Sequence, residues 1–397
     1  MTKQLQDAYI VAATRTPVGK APKGMFRNTR PDDMLAHVLR SVVAQAPGID
    51  LGRIDDAIVG CAMPEAEQGM NVARIGLLLA GLPDTVPGVT VNRFCSSGLQ
   101  AASMAADRIR LGEADLMIAG GTESMSMVPM MGHKVQMNPA IFKDENIGIA
   151  YGMGITAENV ATRWKISREA QDAFAAESHR RALAAQAEGL FDAEITPFTL
   201  ADRYPATDGS IHTDSRVITK DEGPRAGSTP EVLAKLRTVF KRDGSVTAGN
   251  SSQMSDGAGA MIIASEKAIK EYDLAPLARF IGFSVAGVPP EIMGIGPKEA
   301  IPKALKATGM KQDDMQWIEL NEAFAAQSLA VIGDLGLDPA KVNPHGGAIA
   351  LGHALGATGA IRIATLVHGM RQKKQKYGMV TMCIGTGMGA AGVFEVF

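Results

Sequence analysis

Apolar positions along this chain form short, nearly unbroken runs separated by stretches of helical period. Residues 8–17 (AYIVAATRTP) are such a run, closed by a proline, the pattern of a strand buried on both faces. Residues 280–289 (FIGFSVAGVP) have the same shape. Each run is followed by a helical stretch, 31–46 and 298–308. Each helix leads to an acidic pair and a strand: Asp55-Asp56 ahead of 57–60, and Asp313-Asp314 ahead of 315–320. After a second helix comes a Val-Asn pair, Val91-Asn92 and then Val342-Asn343. A helix of small residues follows each pair, 96–111 and 352–369, and runs into an apolar strand ending in glycines, 114–121 and 377–389.

Strands alternating with helices in this way predict α/β layers. The order repeats after about 250 residues, far beyond solenoid spacing, which points to a duplicated domain. All βαβ units look alike, so chance is the alternative. The recurrence of the acidic pair and of Val-Asn in the same order favours duplication. The echo skips residues 122–242, which are more polar and rich in methionine. That stretch holds two helices by periodicity, 156–164 and 167–188, the second opened by Ser167 with Glu169. Residues 201–227 read as turn-rich and charged. The expected organisation is a first half of residues 1–121 with 243–270, an inserted loop domain of 122–242, and a second half of 271–397. Long excursions of this kind are commonly binding loops or lids.

The length of 397 residues agrees with about two domains. With 40 basic against 42 acidic side chains, the net charge of −2 gives no electrostatic reason to expect nucleic acid. Cys61, Cys95 and Cys383 are too few for a disulfide framework and lack metal-ligand spacing, so no metal is expected and reduced thiols in a cytoplasm-like compartment fit best. The N-terminal residues 1–15 lack the apolar core of a signal peptide, and the C-terminus carries no address tripeptide. The longest apolar stretch, residues 75–82, is far short of the ~20 a membrane span needs.

Four places carry candidate chemistry. Cys95 stands between a strand and a helix of small residues, where the helix dipole favours a thiolate; a buried, inert thiol is the alternative. Cys383 lies where an apolar strand meets Gly385, Gly387 and Gly389, whose free N–H groups suit an oxyanion hole or simply a tight turn. His353, in a run of small residues, is either a satisfied core histidine or a base with a near-neutral pKa. Asn321 ends a strand, as active residues of α/β sheets do, or caps a helix.

In order and spacing these four blocks, Cys-Ser-Ser-Gly, Asn-Glu-Ala-Phe, Gly-Gly-Ala-Ile-Ala-Leu-Gly-His and Cys-Ile-Gly-Thr-Gly, resemble the signatures of the thiolase family over residues 8–397. The resemblance implies a layered αβαβα fold and acyl transfer between 3-oxoacyl-CoA and coenzyme A, with no resident cofactor. Cys95 is then the acyl-accepting nucleophile and His353 its activator. Cys383 is the acid/base at the α-carbon of acetyl-CoA. Asn321, through a water, and His353 stabilise the enolate, and the N–H groups of Cys95 and Gly385 form a second oxyanion hole. The usual proline after the histidine is replaced by Ala354. Arg225 matches a residue near the adenine nucleotide and Ser252 one at the pantetheine. Gly152 stands where short-chain biosynthetic members often have histidine, so Gly152-Met153-Gly154 and the stretch around Met293 look more like broad-range degradative thiolases, with both methionines lining the acyl pocket. A short-chain acetoacetyl-CoA-forming enzyme is the alternative, and a non-catalytic acyl-CoA or lipid-binding relative a third reading. Decarboxylating condensing enzymes share the fold but typically lack the second thiol. The family forms homodimers or homotetramers, and some degradative members dock on a multifunctional β-oxidation subunit.

Overall fold

The apolar runs become strands covered on both faces; every residue of Leu116–Ser124 and Ser255–Ser265 is buried. The computed structural model describes residues 5–397. Residues 1–4, the start of the segment read for a signal sequence and of the first half, lie outside the described residues. The strands are β1 (Ala8–Arg15), β2 (Gly19–Lys20), β3 (Asp56–Gly60), β4 (Gly88–Val91), β5 (Leu116–Ser124), β6 (Phe198–Pro205), β7 (Ile211–Ile218), β8 (Ser255–Ser265), β9 (Ala278–Gly287), β10 (Trp317–Leu320), β11 (Tyr377–Ile384) and β12 (Met388–Val396). One sheet runs β10-β11-β12-β9-β1-β8-β5-β3-β4, with β2 beside β8. β6 and β7 form a separate antiparallel hairpin.

The two halves build the sheet in the same order. β3 pairs in parallel with β5, joining Gly60 to Gly121, and β10 with β11, joining Leu320 to Thr381; both pairings span 61 residues. Ile58 then pairs with Val89 of β4, and Ile318 bridges in parallel to Val342. Side-chain direction relates the two pairs: Ala57 and Val59 of β3, like Ile318 and Leu320 of β10, face outer cores.

Successive strand residues point to opposite faces. Met117, Ile263 and Phe394 join a central core, while their neighbours Ile118, Ile262 and Val393 join outer cores. The central core also holds residues of helices Ser97–Arg110 and Leu355–Gln372, such as Ala102, Ala106, Ile363 and Val367. The outer core of the first half takes Leu35, Leu39 and Leu77 from its covering helices, and that of the second half takes Ile301, Leu305 and Val331. The result is helix–sheet–helix–sheet–helix. The half-sheets meet edge to edge over only Ala8–Ile10 of β1 and Ala278–Phe280 of β9. The shared middle helices therefore carry most of their cohesion.

In the insertion, the helices are Met153–Arg163 and Arg168–Ala187, the second capped by Ser167 Oγ accepting from the Ala170 N–H at 3.2 Å. The stretch expected to be turn-rich contains the β6–β7 hairpin instead. β7 is exposed along almost its whole length, so no apolar alternation marks it in the sequence. β5 also continues to Ser124, beyond the boundary read at residue 121.

Candidate active site

Cys95 lies in the 3-10 turn Phe94–Ser96, ahead of helix Ser97–Arg110. Phe94 takes the left-handed conformation, φ +43°, unusual for a non-glycine residue and a mark of a constrained turn. Small residues let the two middle helices approach closely. A β-carbon at Gly98 would meet Ala360 N at 2.6 Å and Gly356 O at 3.0 Å. These helices begin two residues after Cys95 and two after His353, so their contact brings both start points together.

Cys383 sits one residue before the end of β11, fully buried. The Gly385 N–H faces the Cys95 sulfur and favours its charged form, and Cys95 in turn pushes the Cys383 thiol up, so both thiols share one site. Burial is the largest cause of both shifts and holds Cys95 at about 11. The helix dipole expected to favour a thiolate is outweighed, because a charge here loses its hydration. The resting group is the thiol, and it needs a base.

His353 supplies one. It is buried, and desolvation, aided by the Arg362 guanidinium, holds it at about 3, so it is a neutral imidazole at pH 7. Asn321 Nδ2 donates to Nε2 at 3.4 Å, while Nδ1 lies 2.7 Å from Thr358 Oγ1. Nε2 is then the acceptor and Nδ1–H the donor, which leaves a basic nitrogen facing the site. The His353 N–H is held by Gln253 O at 3.0 Å and Ser255 Oγ at 3.1 Å. Asn321 follows β10, and its N–H donates to Thr381 O of the strand that carries Cys383, at 2.9 Å. Its Oδ1 is buried without a protein partner, as suits a group that binds a water.

Met293, with Met153 packed against it, joins Ala157, Val246, Ala323, Phe324 and Cys383 in one apolar cluster. Both methionines thus border the second thiol. Gly152, just ahead of Met153, is exposed, and a β-carbon there would meet no atom within 4 Å. Ser252 donates its N–H to Ala323 O at 2.9 Å, beside Asn321. Arg225 lies farther out and is exposed; its loop is tied in by Gln253 Nε2 donating to Gly223 O at 3.1 Å. The site therefore gathers Cys95, Cys383, Gly385, Asn321, His353, Met153 and Met293, places Ser252 at its edge and leaves Arg225 on the rim.

The family description "Thiolase, N-terminal domain" matches residues 8–267 and "Thiolase, C-terminal domain" matches residues 274–396. The chain belongs to the thiolase family. Among the similar relatives of this thiolase is the 3-ketoacyl-CoA thiolase of Bacillus subtilis (strain 168), 51% identical over 392 residues, covering 99% of this chain and all of that one. The dimeric peroxisomal thiolase of Saccharomyces cerevisiae superposes with a TM-score of 0.89 at 42% identity, covering 100% of this chain and 99% of that one. The Bacillus anthracis acetyl-CoA acetyltransferase superposes with a TM-score of 0.89 at 39% identity, over the whole of both chains.

Sequence reasoning missed the supports of this thiolase site: Glu123, Glu322, Ser255 and Thr358. Glu123 and Glu322 do leave a signal, a carboxylate at or just after the end of a fully buried, mostly apolar strand. Ser255 and Thr358 leave none.

Proposed function

We propose that the chain cleaves 3-oxoacyl-CoA with coenzyme A to acetyl-CoA and an acyl-CoA two carbons shorter, and runs the reverse Claisen condensation. The observation that carries this reading is the meeting of two thiols beside a neutral imidazole, with a backbone N–H already aimed at one sulfur.

Cys95 gives its proton to His353 Nε2 as its sulfur attacks the 3-oxo carbon. The resting values of about 11 and about 3 put the neutral pair far ahead of the ion pair, so the proton moves only as attack proceeds. The tetrahedral oxyanion takes the N–H groups of Cys95 and Gly385. The bond between C2 and C3 then breaks, leaving acyl-Cys95 and the enolate of acetyl-CoA. Cys383 protonates the enolate carbon, while Asn321, through a water, and His353 hold the enolate oxygen. Coenzyme A enters, Cys383 takes its thiol proton, and the CoA sulfur displaces Cys95 from the acyl group, the departing Cys95 sulfur taking back the proton held on His353. Acyl-CoA and coenzyme A are the only small molecules this scheme needs, and no further cofactor enters it.

Ser252 contacts the pantetheine arm and Arg225 the adenine nucleotide on the rim, in this proposal. Met153 and Met293 bound the acyl chain. Gly152 in place of the histidine common in short-chain members supports a broad chain-length range over a strict four-carbon enzyme. Steady-state thiolysis of 3-oxoacyl-CoA substrates of rising length tests this; activity confined to acetoacetyl-CoA would reject it. We further propose a homodimer or homotetramer working in the cytoplasm, with docking on a multifunctional β-oxidation subunit. The balanced charge of the chain and the dimeric yeast relative agree with self-association. No helix of the described residues is long and apolar enough to cross a membrane.

A further inference from the structure

His353 hangs between two helices. Ala348–Leu351 ends at Gly352, whose φ of +94° is open to glycine, and Leu355–Gln372 begins two residues beyond the imidazole. The N-cap residues of these helices, Gly347 and Ala354, give no side-chain cap. The caps come from elsewhere in the chain. Glu322 Oε2 accepts the Ile349 N–H at 3.1 Å and the Ser178 hydroxyl at 2.6 Å, and its Oε1 accepts Asn343 Nδ2 at 2.8 Å. Glu123 Oε2 accepts the Gly356 N–H at 2.9 Å and the Ala62 N–H at 2.7 Å. Its Oε1 accepts the Met63 N–H at 3.2 Å and the Gln68 amide. Each carboxyl group accepts N–H bonds at the start of a helix; burial pushes both up, Glu123 to about 7, and these bonds act against that shift to favour the charged form.

The glycines of this segment follow from that arrangement. A β-carbon at Gly347 would collide with the Glu322 carboxylate. One at Gly356 would lie 2.8 Å from Glu123 Oε2 and 2.7 Å from Cys61 Cα. The run 346–356 is thus shaped to let two buried carboxylates reach backbone N–H groups on either side of one histidine.

We infer that Glu322 and Glu123 are positioning residues for His353, clamping the two helices it hangs between and so fixing Nε2 against Cys95. This rests on the reading of His353 as the base for Cys95. The test is a pair of double-variant cycles read by the rate of Cys95 trapping with iodoacetamide at pH 7.5 and by kcat. Glu322→Gln and Glu123→Gln are made alone and in the His353→Ala background, with unfolding midpoints followed. A displacement of the imidazole by about 1 Å predicts a loss of kcat of roughly 10- to 100-fold, with KM for coenzyme A changed less than about 3-fold. Trapping slows with His353 present, and the loss vanishes in the His353→Ala background, a coupling that a purely structural role does not produce. Ser178→Ala keeps both carboxylates and removes one donor to Glu322. It gives the same His353-dependent loss at about 3- to 10-fold, should Glu322→Gln fail to fold. Equal losses in both backgrounds, or no loss in folded variants, overturn the clamp while leaving the base intact. If His353→Ala itself leaves trapping unchanged, the base assignment falls and the clamp with it.

Discussion

The two halves of the chain share a strand order but divide the chemistry unequally. Cys61 follows β3 and Glu123 lies in β5, while Asn321 follows β10 and Cys383 lies near the end of β11. Cys95 and His353 each precede a middle helix by two residues. Strand ends and helix starts of both halves thus contribute to one site. The first half supplies the nucleophile, a buried carboxylate and a sequestered thiol. The second supplies the base, the second thiol and the amide. The scaffold fixes where functional side chains stand, and the residue placed there decides which half does what.

Removing the one reacting group of the first half breaks this division most severely. Cys95→Ala abolishes turnover, a loss on the order of 10⁴-fold or more, while coenzyme A binding measured by calorimetry is retained. Replacing the two proton carriers of the second half comes next. His353→Ala and Cys383→Ala each cost about 10²- to 10⁴-fold in kcat. The His353→Ala variant also exposes the intrinsic titration of Cys95. Burial raises its pKa to about 11, so iodoacetamide trapping keeps rising with pH beyond 9, where an ordinary thiol at about 8.5 levels off. A plateau near pH 8.5 contradicts this account of the nucleophile.

The residues that follow β3 and β10, Cys61 and Asn321, sharpen the comparison further. Asn321→Ala loses about 10²-fold in kcat, whereas Cys61→Ala stays within about 3-fold. Equal losses would mean that the first half also acts on substrate. The smallest effect concerns the departure at position 354. Ala354 has φ −83°, close to the value proline imposes, and His353 before it is extended in a bridge to Met254. Ala354→Pro therefore fits without strain. It raises stability by about 0.4–1 kcal/mol, measured by chemical unfolding, with kcat unchanged.

Much of this was legible in the sequence because burial on both faces writes itself as apolar runs. β1 and β9, the middle helices and the order of the halves stand close to where periodicity puts them. The four blocks with Cys95, Asn321, His353 and Cys383 were likewise visible, since glycine and small residues around a reactive side chain are rare together. Other features were hidden for physical reasons. The β6–β7 hairpin buries Phe198 and Leu200 at its root but exposes β7 almost throughout, so polarity disguised it. The protonation of Cys95 depends on desolvation by residues distant in the chain, which local motif reading cannot weigh. The partners of Glu123 and Glu322 lie between 21 and 233 positions away, so no local pattern announces them.

The central pair of helices also bears on how the chain is made. Ser97–Arg110 turns its apolar side toward Leu355–Gln372, which leaves the ribosome only after about 250 further residues have been made. The portion born first therefore waits with sticky surface bare, and a fragment ending near residue 270 would keep that surface for good. Chaperone capture of the nascent polypeptide, and aggregation of the truncated one, are built into the arrangement that makes the mature enzyme cohere.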